Sequence, residues 1–330
     1  TAYIYNGSEV ALGKIIEKNS LRDKIYLATK LPQYMVKNSA AIDKYFDEQL
    51  ERLRTDHIDY YLMHMLTDFQ SWKNLKNFGI IDWISRKKKS GQIKNIGFSF
   101  HGNTEMFIKI LDDYDWDFCQ IQYNYLDNVS QAGEAGLMAA GKKHIPVIIM
   151  EPLRGGKLVN MLPETAKKRI ADDPSGRSAA ELGFRWLWNQ PEVTCVLSGM
   201  NSIEMIEENC RVADDVRAGE FTEKDHKLIE DIRRDILENT KVGCTACGYC
   251  MPCTVGIEIR NCARMNMLLR RSPWQQYMTD EWYAKMQKIN ECINCRACVS
   301  KCPYGLDQPS LLKYMLKDYN EFYASHKHLL

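Results

Sequence analysis

The sequence predicts an α/β fold with a parallel sheet, followed by a separate cysteine-rich domain. Three observations support this prediction. Short apolar runs alternate with longer helical patterns. Most runs are apolar throughout, which is typical of strands buried on both faces. Most of the 12 cysteines lie close together near the C-terminus. A chain of 330 residues is long enough for two domains, or for one barrel with an appendage.

The composition is that of an ordinary globular protein. Apolar residues make up 45% of the chain and charged residues 26%. Lys+Arg total 44 and Asp+Glu total 43, so the net charge of +1 gives no attraction to nucleic acid or to an anionic membrane. A membrane-spanning helix needs about 20 consecutive apolar residues, and the sequence has no such run. We therefore expect neither nucleic acid nor a membrane as a partner.

The predicted strands are apolar, β-branched runs at Ile25–Lys30, Ile58–His64, Ile93–Ser99, Phe118–Asn124, Pro146–Leu153 and Val193–Gly199. Strands that alternate with helices form βαβ units and a parallel sheet. Six such units fit either a doubly wound sheet or most of a (β/α)8 barrel. Periodicity alone does not decide between the two.

Helical patterns fill the segments between these strands. Ser39 is predicted to cap a helix that carries Ile42 and Phe46 on one face. Thr222 and Asp225 form a capping-box pattern before the last helix of this region. The other predicted helices are Trp72–Lys89, Asn103–Tyr114, Ser130–Lys143, Arg177–Gln190 and one from Asn201 or Ser202 to about Val216.

Polar residues stand at or just beyond the C-terminal ends of the predicted strands. They are Lys30, His64, Ser99, Asn124 and Glu151. Any one of them is explained as a polar loop residue. Their repeated occurrence favours a barrel, because active sites of (β/α)8 barrels are built at this end of the strands.

Three residues form a candidate catalytic set. A tyrosine with its ordinary pKa near 10 is a poor acid at neutral pH. An ammonium group close by stabilises the phenolate, and a histidine polarises a carbonyl oxygen. We therefore expect Tyr5, Lys30 and His64 to protonate the alkoxide that forms when hydride reaches a carbonyl carbon. Each of them alone is also explained by packing, a strand-end charge or a buried imidazole.

Three motifs follow one another in the chain: Thr1-Ala2-Tyr3-Ile4-Tyr5 with Asn6-Gly7-Ser8-Glu9, then Ala28-Thr29-Lys30, then Asp59-Tyr60-Tyr61-Leu62-Met63-His64. In their order and spacing, the chain resembles the aldo-keto reductase family over Thr1–Asn209. The resemblance implies a (β/α)8 TIM-type barrel with Tyr5, Lys30 and His64 as its catalytic residues. The family aspartate that pairs with the lysine falls before Thr1. We therefore expect an N-terminally truncated barrel that lacks its first strands.

The resemblance also implies a nicotinamide cofactor, NAD(P)(H), and a small carbonyl or alcohol substrate. Ser99 and Gln120 match the family residues that bind nicotinamide, and Met150 takes the place of a stacking aromatic. The implied phosphate-binding loop contains Leu153, Arg154, Gly155 and Gly156, and the implied adenosine site contains Gly199, Glu208 and Asn209. Basic residues that grip a 2′-phosphate in many members align with Gly199 and Met205, so a preference for NADP is unsupported.

Two cysteine runs dominate the C-terminal segment. The second run, Cys292, Cys295, Cys298 and Cys302 followed by Pro303, has the C-x₂-C-x₂-C-x₃-C-P spacing of bacterial ferredoxins. The first run, Cys244, Cys247, Cys250 and Cys253, is one residue shorter before its last cysteine. Zinc is the alternative, but a tetrahedral zinc site uses paired cysteines rather than two such runs. The spacing favours two [4Fe–4S] clusters.

The C-terminal segment resembles the dicluster ferredoxin module. In such runs the first three cysteines bind one cluster and the fourth binds the other. We expect Cys302 to join the first run's cluster and Cys253 to join the second run's cluster. Cys262 is interpreted as a buried thiol. The scattered Cys119, Cys195 and Cys210 are interpreted as core residues.

These inferences predict a barrel domain at 1–238 and a helical ferredoxin-like dicluster domain at 239–330. The predicted function is that of an NAD(P)-linked oxidoreductase with electron transfer through two [4Fe–4S] clusters. A redox protein is a possible partner, and clustered thiolates indicate a reducing, cytoplasmic location. The alternative is an electron-transfer or scaffold protein whose barrel is not catalytic.

Overall fold

Six parallel strands form one sheet in chain order. They are β1 Ala28–Leu31, β2 Ile58–Leu66, β3 Ile93–Phe100, β4 Phe118–Gln122, β5 Val147–Met150 and β6 Val193–Val196. Each neighbouring pair is parallel, with a helical connection between successive strands. The sequential parallel order confirms the predicted α/β fold of barrel type. Within the described residues, β1 and β6 are the edges of the sheet.

This computed structural model describes residues 1–238, 243–271 and 274–329. The chain divides into two units, Thr1–Arg233 and Arg234–Leu330. The domain boundary that the sequence predicts, between residues 238 and 239, stays a prediction.

The helices of the first unit surround the strands in sequence. They are α1 Ser8–Lys18, α2 Ser39–Leu53, α3 Phe69–Asn77, α4 Ile80–Lys89, α5 Thr104–Asp112, α6 Gly133–Lys142, α7 Lys157–Asn160, α8 Glu164–Ala171, α9 Ala179–Trp188, α10 Ile203–Asp215 and α11 Glu223–Glu238. Short 3₁₀ turns lie at Arg22–Lys24 and Gln33–Met35. Thr222 and Asp225 form the predicted reciprocal cap at the start of α11.

Two helix predictions are wrong in detail. The single helix predicted at Trp72–Lys89 is two helices, α3 and α4, separated at Gly79. Gly79 has φ +79°, a backbone conformation that breaks a helix and that glycine adopts without strain. Asn38 rather than Ser39 caps α2, because the Asn38 side chain accepts from the Ala41 amide. The other predicted helices are shorter at their ends than the sequence suggested.

The predicted strands also extend too far. β4 ends at Gln122, β5 at Met150 and β6 at Val196, because the following segments turn away from the sheet. In the opposite direction, β2 continues past His64 to Leu66. Apolar loop residues that pack near a strand end have the same sequence pattern as the strand itself.

The outward face of the sheet packs against the helices in a large aromatic and aliphatic core. Phe98 of β3 lies 4.8 Å from Trp116, ring centre to ring centre, and Trp116 lies 4.9 Å from Trp72 of α3. Cys119 is buried in this core as predicted. Cys195 and Cys210 are exposed, so the core interpretation is wrong for both. Cys195 lies on the edge strand β6, which lacks a second described neighbour.

The second unit contains helices and no described strand. Its helices are α12 Ile259–Cys262, α13 Met265–Arg271, α14 Asp280–Gln287, α15 Ala297–Ser300 and α16 Gln308–His326, with 3₁₀ turns at Trp274–Tyr277, Lys288–Glu291 and Lys327–Leu329. Residues of α16, among them Leu312, Met315 and Tyr319, pack against α12, α13 and α14 in a separate core. In the ranges that the structure describes, no helix is both long and apolar enough to cross a membrane.

Gly102, in the loop after β3, packs closely against the backbone of the loop after β2. A Cβ at this position would lie 1.8 Å from the Thr67 carbonyl oxygen. We expect Gly102→Ala to lower the free energy of unfolding by about 1–3 kcal/mol, as overpacking does. Denaturant unfolding measures this change. Gly199→Ala is the control, because nothing lies within 4 Å of a Cβ there. Equal midpoints for the two variants would contradict the close approach.

Candidate active site and cysteine cavities

The pairing of the strands brings the strand-end polar residues to one face at the C-terminal edge of the sheet. Lys30 of β1 pairs with Leu62 of β2, and His64 follows two residues later on the same face. Ser99 of β3 pairs with Gln120 of β4. These residues therefore face away from the helices, on the concave side of the sheet.

Tyr5, Lys30 and His64 come together at this edge. The Lys30 ammonium lies 5.8 Å from the centre of the Tyr5 ring and donates to the Thr1 carbonyl oxygen at 2.8 Å. The Tyr5 and His64 ring centres are 6.1 Å apart, with the rings nearly perpendicular at 88°. Lys30 and His64 are buried, whereas Tyr5 is 49% exposed. A small molecule at the C-terminal edge of the sheet can therefore reach the Tyr5 ring.

Burial controls the charges of this group. It lowers the pKa of Lys30 to about 8. Burial, together with the positive charge of Lys30 and the proximity of His101, lowers the pKa of His64 to about 3. At neutral pH, His64 is therefore a neutral imidazole beside an ammonium group. A neutral imidazole can donate one hydrogen bond to a carbonyl oxygen without adding a full charge.

The expected effect of Lys30 on Tyr5 is wrong for this arrangement. Burial and the Glu151 carboxylate raise the pKa of Tyr5 instead of lowering it. The ammonium group donates to the Thr1 carbonyl oxygen, and among the described residues it makes no hydrogen bond to the phenol oxygen. Tyr5 is consequently a protonated phenol at neutral pH, and can serve as a proton donor only to a strongly basic oxygen such as an alkoxide.

A buried polar network supports β1 from its outward face. The Glu9 carboxylate accepts from Thr29 at 2.6 Å and from Gln49 at 2.7 Å. The Gln49 amide also donates to the Lys30 carbonyl oxygen at 3.0 Å, and Tyr61 donates to Gln49 at 2.7 Å. Since buried polar groups are costly unless paired, this network holds the backbone at Lys30 in a single position.

Ser99, Gln120 and Met150 form the next part of the concave face. The Ser99 hydroxyl oxygen accepts from the Met65 amide at 2.9 Å, so its hydrogen can still be donated. The Gln120 side-chain nitrogen lies 3.1 Å from the Met150 sulfur. All three are thus neighbours along β3, β4 and β5, as a shared binding surface requires.

The loop after β5 has an unusual backbone. Glu151 and Arg154 both have φ +51°, and Gly155 and Gly156 have φ +63° and +82°. Such a run of left-handed residues turns successive amides to one side, as in anion-binding nests. The Arg154 guanidinium Nε lies 2.8 Å from the Asp127 carboxylate. The Leu153 side chain packs directly against the backbone of Gly183, where an added Cβ would lie only 2.6 Å from it.

The three residues assigned to the adenosine end lie on the β6–α10 connection and on α10. Asn209 donates to Ser198 at 3.0 Å, which ties α10 to the segment that holds Gly199. Glu208 accepts from Ser178, the cap of α9, at 2.5 Å. Gly199 is exposed. Glu208 therefore has a structural partner already, whereas Gly199 has an open surface.

The sequence analysis missed a buried hydrogen-bond chain at the same edge. His101 Nδ1 donates to Gln131 Oε1 at 3.1 Å, and Gln131 Nε2 donates to Gln122 Oε1. Gln122 Nε2 donates to the Asp127 carboxylate at 3.3 Å, which also binds Arg154. The amides all point in one direction, so the chain begins at an imidazole and ends at a carboxylate.

Two sequence signals locate part of this chain. Gln120, Gln122 and Asn124 alternate along β4 and its continuation, which places three polar side chains on the concave face. His101 lies two residues after Ser99 and therefore follows it on the same side. Gln131 has no such signal, because it reaches the site from the loop before α6.

The cysteines of the second unit line two separate cavities. One is lined by Cys244, Cys247, Cys250 and Cys302, and the other by Cys253, Cys292, Cys295 and Cys298, with Cys250 also at its wall. The last cysteine of each run thus lies with the first three of the other run. In the described ranges no three His, Cys, Asp or Glu side chains are placed to hold a single metal ion.

Charge interactions among the thiols follow the same division. Burial raises the pKa of Cys250 to about 11, with contributions from Cys244, Cys247 and Cys302. Burial raises the pKa of Cys298, and Cys253 is among the neighbours that add to this effect. Thiols that disfavour each other's ionisation in this way are a fitting donor set for a cationic iron centre, which binds thiolates.

Cys262 lies in neither cavity. It is fully buried in the core of the second unit, with its sulfur 3.8 Å from the Lys285 carbonyl oxygen. Burial and the Glu258 carboxylate raise its pKa to about 12. The interpretation of Cys262 as a buried thiol is confirmed by this position.

Comparisons with known proteins match both parts of the chain. The model of a family described as "Aldo/keto reductase family" matches residues 1–234, and that of a "4Fe-4S dicluster domain" matches residues 243–307. No curated protein matches the sequence significantly.

Among solved structures, the holo form of aldo-keto reductase AKR11C1 from Bacillus halodurans is 22% identical, with a TM-score of 0.57, over 70% of this chain and 80% of that one. Its apo form is 23% identical with a TM-score of 0.54 and the same coverage. A structure described as a putative 2,5-diketo-D-gluconic acid reductase B is 23% identical with a TM-score of 0.54, over 71% and 75% of the two chains. At this identity these structures establish the fold.

His64 should stay uncharged throughout pH 5–8, because its pKa is lowered to about 3. The expected result in a histidine NMR titration is no change at His64 over this range. Lys30→Met should raise the pKa of His64 by removing a neighbouring positive charge, while burial still keeps it below the ordinary value. Lys89→Met, at an exposed lysine of α4, is the control. With the titration extended below pH 5, the same His64 midpoint in Lys30→Met and in the unmodified protein would contradict the assigned cause.

The two cavities predict different effects for two cysteine-to-serine variants. Cys253→Ser should cost one cluster, about half of the iron and sulfide, because Cys253 lines the second cavity with Cys292, Cys295 and Cys298. Cys262→Ser should cost none, because Cys262 lines neither cavity. Iron and sulfide analysis of the purified variants measures both. Loss of a cluster in Cys262→Ser, with full iron in Cys253→Ser, would reverse the assignment.

Proposed function

Because this chain belongs to the aldo/keto reductase family and carries a 4Fe-4S dicluster domain, we propose that it is an NAD(P)-linked oxidoreductase of small carbonyl or alcohol compounds. The proposal assigns carbonyl chemistry to residues 1–238 and two [4Fe–4S] clusters to residues 239–330. The observation that carries it is the convergence of Tyr5, Lys30 and His64 at the C-terminal edge of the sheet.

Each of the three side chains has a distinct role in this proposal. His64 is neutral and donates a hydrogen bond to the carbonyl oxygen. The Lys30 ammonium stabilises the negative charge that develops on this oxygen. The Tyr5 phenol gives its proton to the resulting alkoxide, which is far more basic than a carbonyl oxygen. For alcohol oxidation the same proton returns to Tyr5.

The concave face next to these residues offers groups for a nicotinamide cofactor, which supplies or accepts the hydride when bound. Ser99, through its hydroxyl hydrogen, and Gln120, through its amide, would hold the cofactor's carboxamide, and Met150 would border the ring. The amides around Gly155 and Gly156, with Leu153 and Arg154, would hold the pyrophosphate. Gly199, Glu208 and Asn209 would hold the adenosine end.

The cysteine cavities fit two clusters by their donor sets. Cys244, Cys247, Cys250 and Cys302 hold one, and Cys253, Cys292, Cys295 and Cys298 hold the other. Gln308 donates to the Cys302 sulfur at 3.8 Å, and Thr254 lies 3.5 Å from the Cys295 sulfur. Hydrogen bonds of this kind tune the potential of an iron–sulfur centre. Thiolate ligation suits a reducing compartment such as the cytoplasm.

The clusters and the hydride chemistry differ in electron number. A hydride carries two electrons, whereas a [4Fe–4S] cluster passes one at a time. We therefore assign the clusters to electron exchange with a redox protein partner.

A second candidate function is electron transfer or scaffolding with a non-catalytic barrel. The raised pKa of Tyr5 favours that candidate, because it makes the phenol a weaker acid. Oxidation of NADH or NADPH in the presence of a small carbonyl compound separates the two, because only the oxidoreductase transfers hydride from a nicotinamide to a carbonyl carbon.

The role of Tyr5 predicts a large and specific effect of Tyr5→Phe. Loss of a positioned general acid costs about 10²–10⁴-fold in rate. We expect this loss in carbonyl reduction by the full enzyme, with cluster content and unfolding midpoint unchanged. Tyr26→Phe is the control, because Tyr26 is 83% exposed. Equal rates in Tyr5→Phe and Tyr26→Phe would remove Tyr5 from the mechanism.

A further inference from the structure

The segments that follow the two cysteine runs repeat one another in sequence and in backbone structure. Cys253 is followed by Thr-Val-Gly-Ile-Glu and then Ile259, and Cys302 is followed by Pro-Tyr-Gly-Leu-Asp and then Gln308. In both segments the glycine has a positive φ, and its amide donates to the carbonyl oxygen of the cysteine, at 3.0 Å in one and 3.1 Å in the other. Ile259 and Gln308 then begin α12 and α16. These two residues are therefore structural equivalents.

The two cysteine cavities use these equivalent positions in their walls. Gln308 lines the first cavity, which holds the first three cysteines of the first run, and Ile259 lines the second cavity. The residue after the first cysteine of each run is a further equivalent pair, with Thr245 in the first cavity and Ile293 in the second. At both positions, the first cavity has a polar side chain where the second has isoleucine.

Gln308 is a buried amide that is directed to a cluster cysteine. It is 2% exposed, and its side-chain nitrogen donates to the Cys302 sulfur at 3.8 Å. Its amide oxygen has no hydrogen-bond partner among the described residues. A buried polar group that is incompletely paired costs free energy. Packing therefore does not explain an amide at a position that isoleucine fills in the equivalent segment.

Thr245 adds a second hydrogen-bond donor to the same cavity. Its hydroxyl oxygen is buried, and no described residue forms a hydrogen bond with it. A hydroxyl group carries one hydrogen to donate, and sulfur atoms accept hydrogen bonds. The sulfur atoms of a cluster in the first cavity would therefore meet a buried hydroxyl donor as well as the Gln308 amide.

Solvent and charge differ less between the two cavities than these donors do. Each set of four cysteines contains one exposed thiol, Cys247 or Cys295, and each wall includes an arginine. Cys250, the one buried ligand, borders both cavities. The second cavity has a donor in Thr254, 3.5 Å from the Cys295 sulfur. That sulfur is exposed, so water supplies a comparable hydrogen bond there.

We propose that Gln308 and Thr245 give the cluster of the first cavity the higher reduction potential of the pair. Reduction adds one electron to a cluster, and hydrogen bonds to its sulfur atoms stabilise the added negative charge. The side chains of Ile259 and Ile293 offer no such hydrogen to the second cluster. A single electron supplied to the pair therefore resides in the first cavity. This inference rests on the two clusters proposed above and not on the carbonyl chemistry of the first unit.

The test is a redox titration of the whole protein with dithionite, followed by electron paramagnetic resonance of the reduced clusters. We expect two one-electron steps. Gln308→Ile, alone or with Thr245→Ile, should shift the higher step to a more negative potential and leave the lower step in place. Ile259→Gln is the reciprocal variant and should shift the lower step to a less negative potential. Gln287→Ile is the matched control and should move neither, because the Gln287 amide donates to Asn320 at 2.7 Å, outside both cavities.

Two cysteine variants assign the steps to the cavities. Cys253→Ser should keep only the cluster of the first cavity and Cys302→Ser only that of the second, and the potential should be higher in Cys253→Ser. The opposite order overturns the proposal. Unmoved steps in Gln308→Ile, or an equal shift in Gln287→Ile, also overturn it, and Ile259→Gln decides if Gln308→Ile does not fold.

Iron and sulfide analysis of the unmodified protein separates this inference from the proposed function. Failure to bind two clusters would overturn the proposed clusters and this inference with them. Two bound clusters whose potentials do not respond to Gln308→Ile or Ile259→Gln would overturn this inference alone.

Discussion

The candidate active site depends on the register of a parallel sheet. Every strand runs in the same direction, so the C-terminal ends of β1 to β5 lie at one edge, and residues two apart share a face. This geometry gathers Lys30, His64, Ser99 and Gln120 from distant parts of the sequence. A shift of one residue in any strand would turn that strand's polar residue into the hydrophobic core. The same strand register therefore places the polar residues in the site and the apolar residues in the core.

Burial at this edge determines the protonation states. Polar groups removed from water are expensive unless they are paired. The protein pairs them on both sides of β1, with Glu9 and Gln49 outside and the Thr1 carbonyl at the Lys30 ammonium inside. His64 has no such partner for Nδ1 within the described residues, and it avoids the cost of a buried charge by remaining neutral. The concave face thus presents a cation beside a neutral ring.

The second unit applies a different constraint to its cysteines. The short spacing within each run holds its first three thiols around one cavity, and the chain then carries the fourth to the other cavity. Each cavity therefore closes only when both runs are in place. Cys262 shows the contrast, since a cysteine in the same segment is simply part of the apolar core of α12, α14 and α16. Position relative to the cavities, rather than residue type, separates a candidate ligand from a packing residue.

The sequence by itself determined the parallel α/β order, the polar strand ends and the cysteine runs, because each depends on short-range periodicity or spacing. It located Tyr5, Lys30 and His64, but it assigned the wrong direction to the pKa of Tyr5. Only the tertiary structure decided that direction, since burial and the nearby Glu151 are long-range effects. It also revealed that Gln131 reaches His101 from another loop, and that Gly79 divides one predicted helix. Hydrogen bonds between distant segments and local backbone dihedrals leave no periodic signal in a sequence.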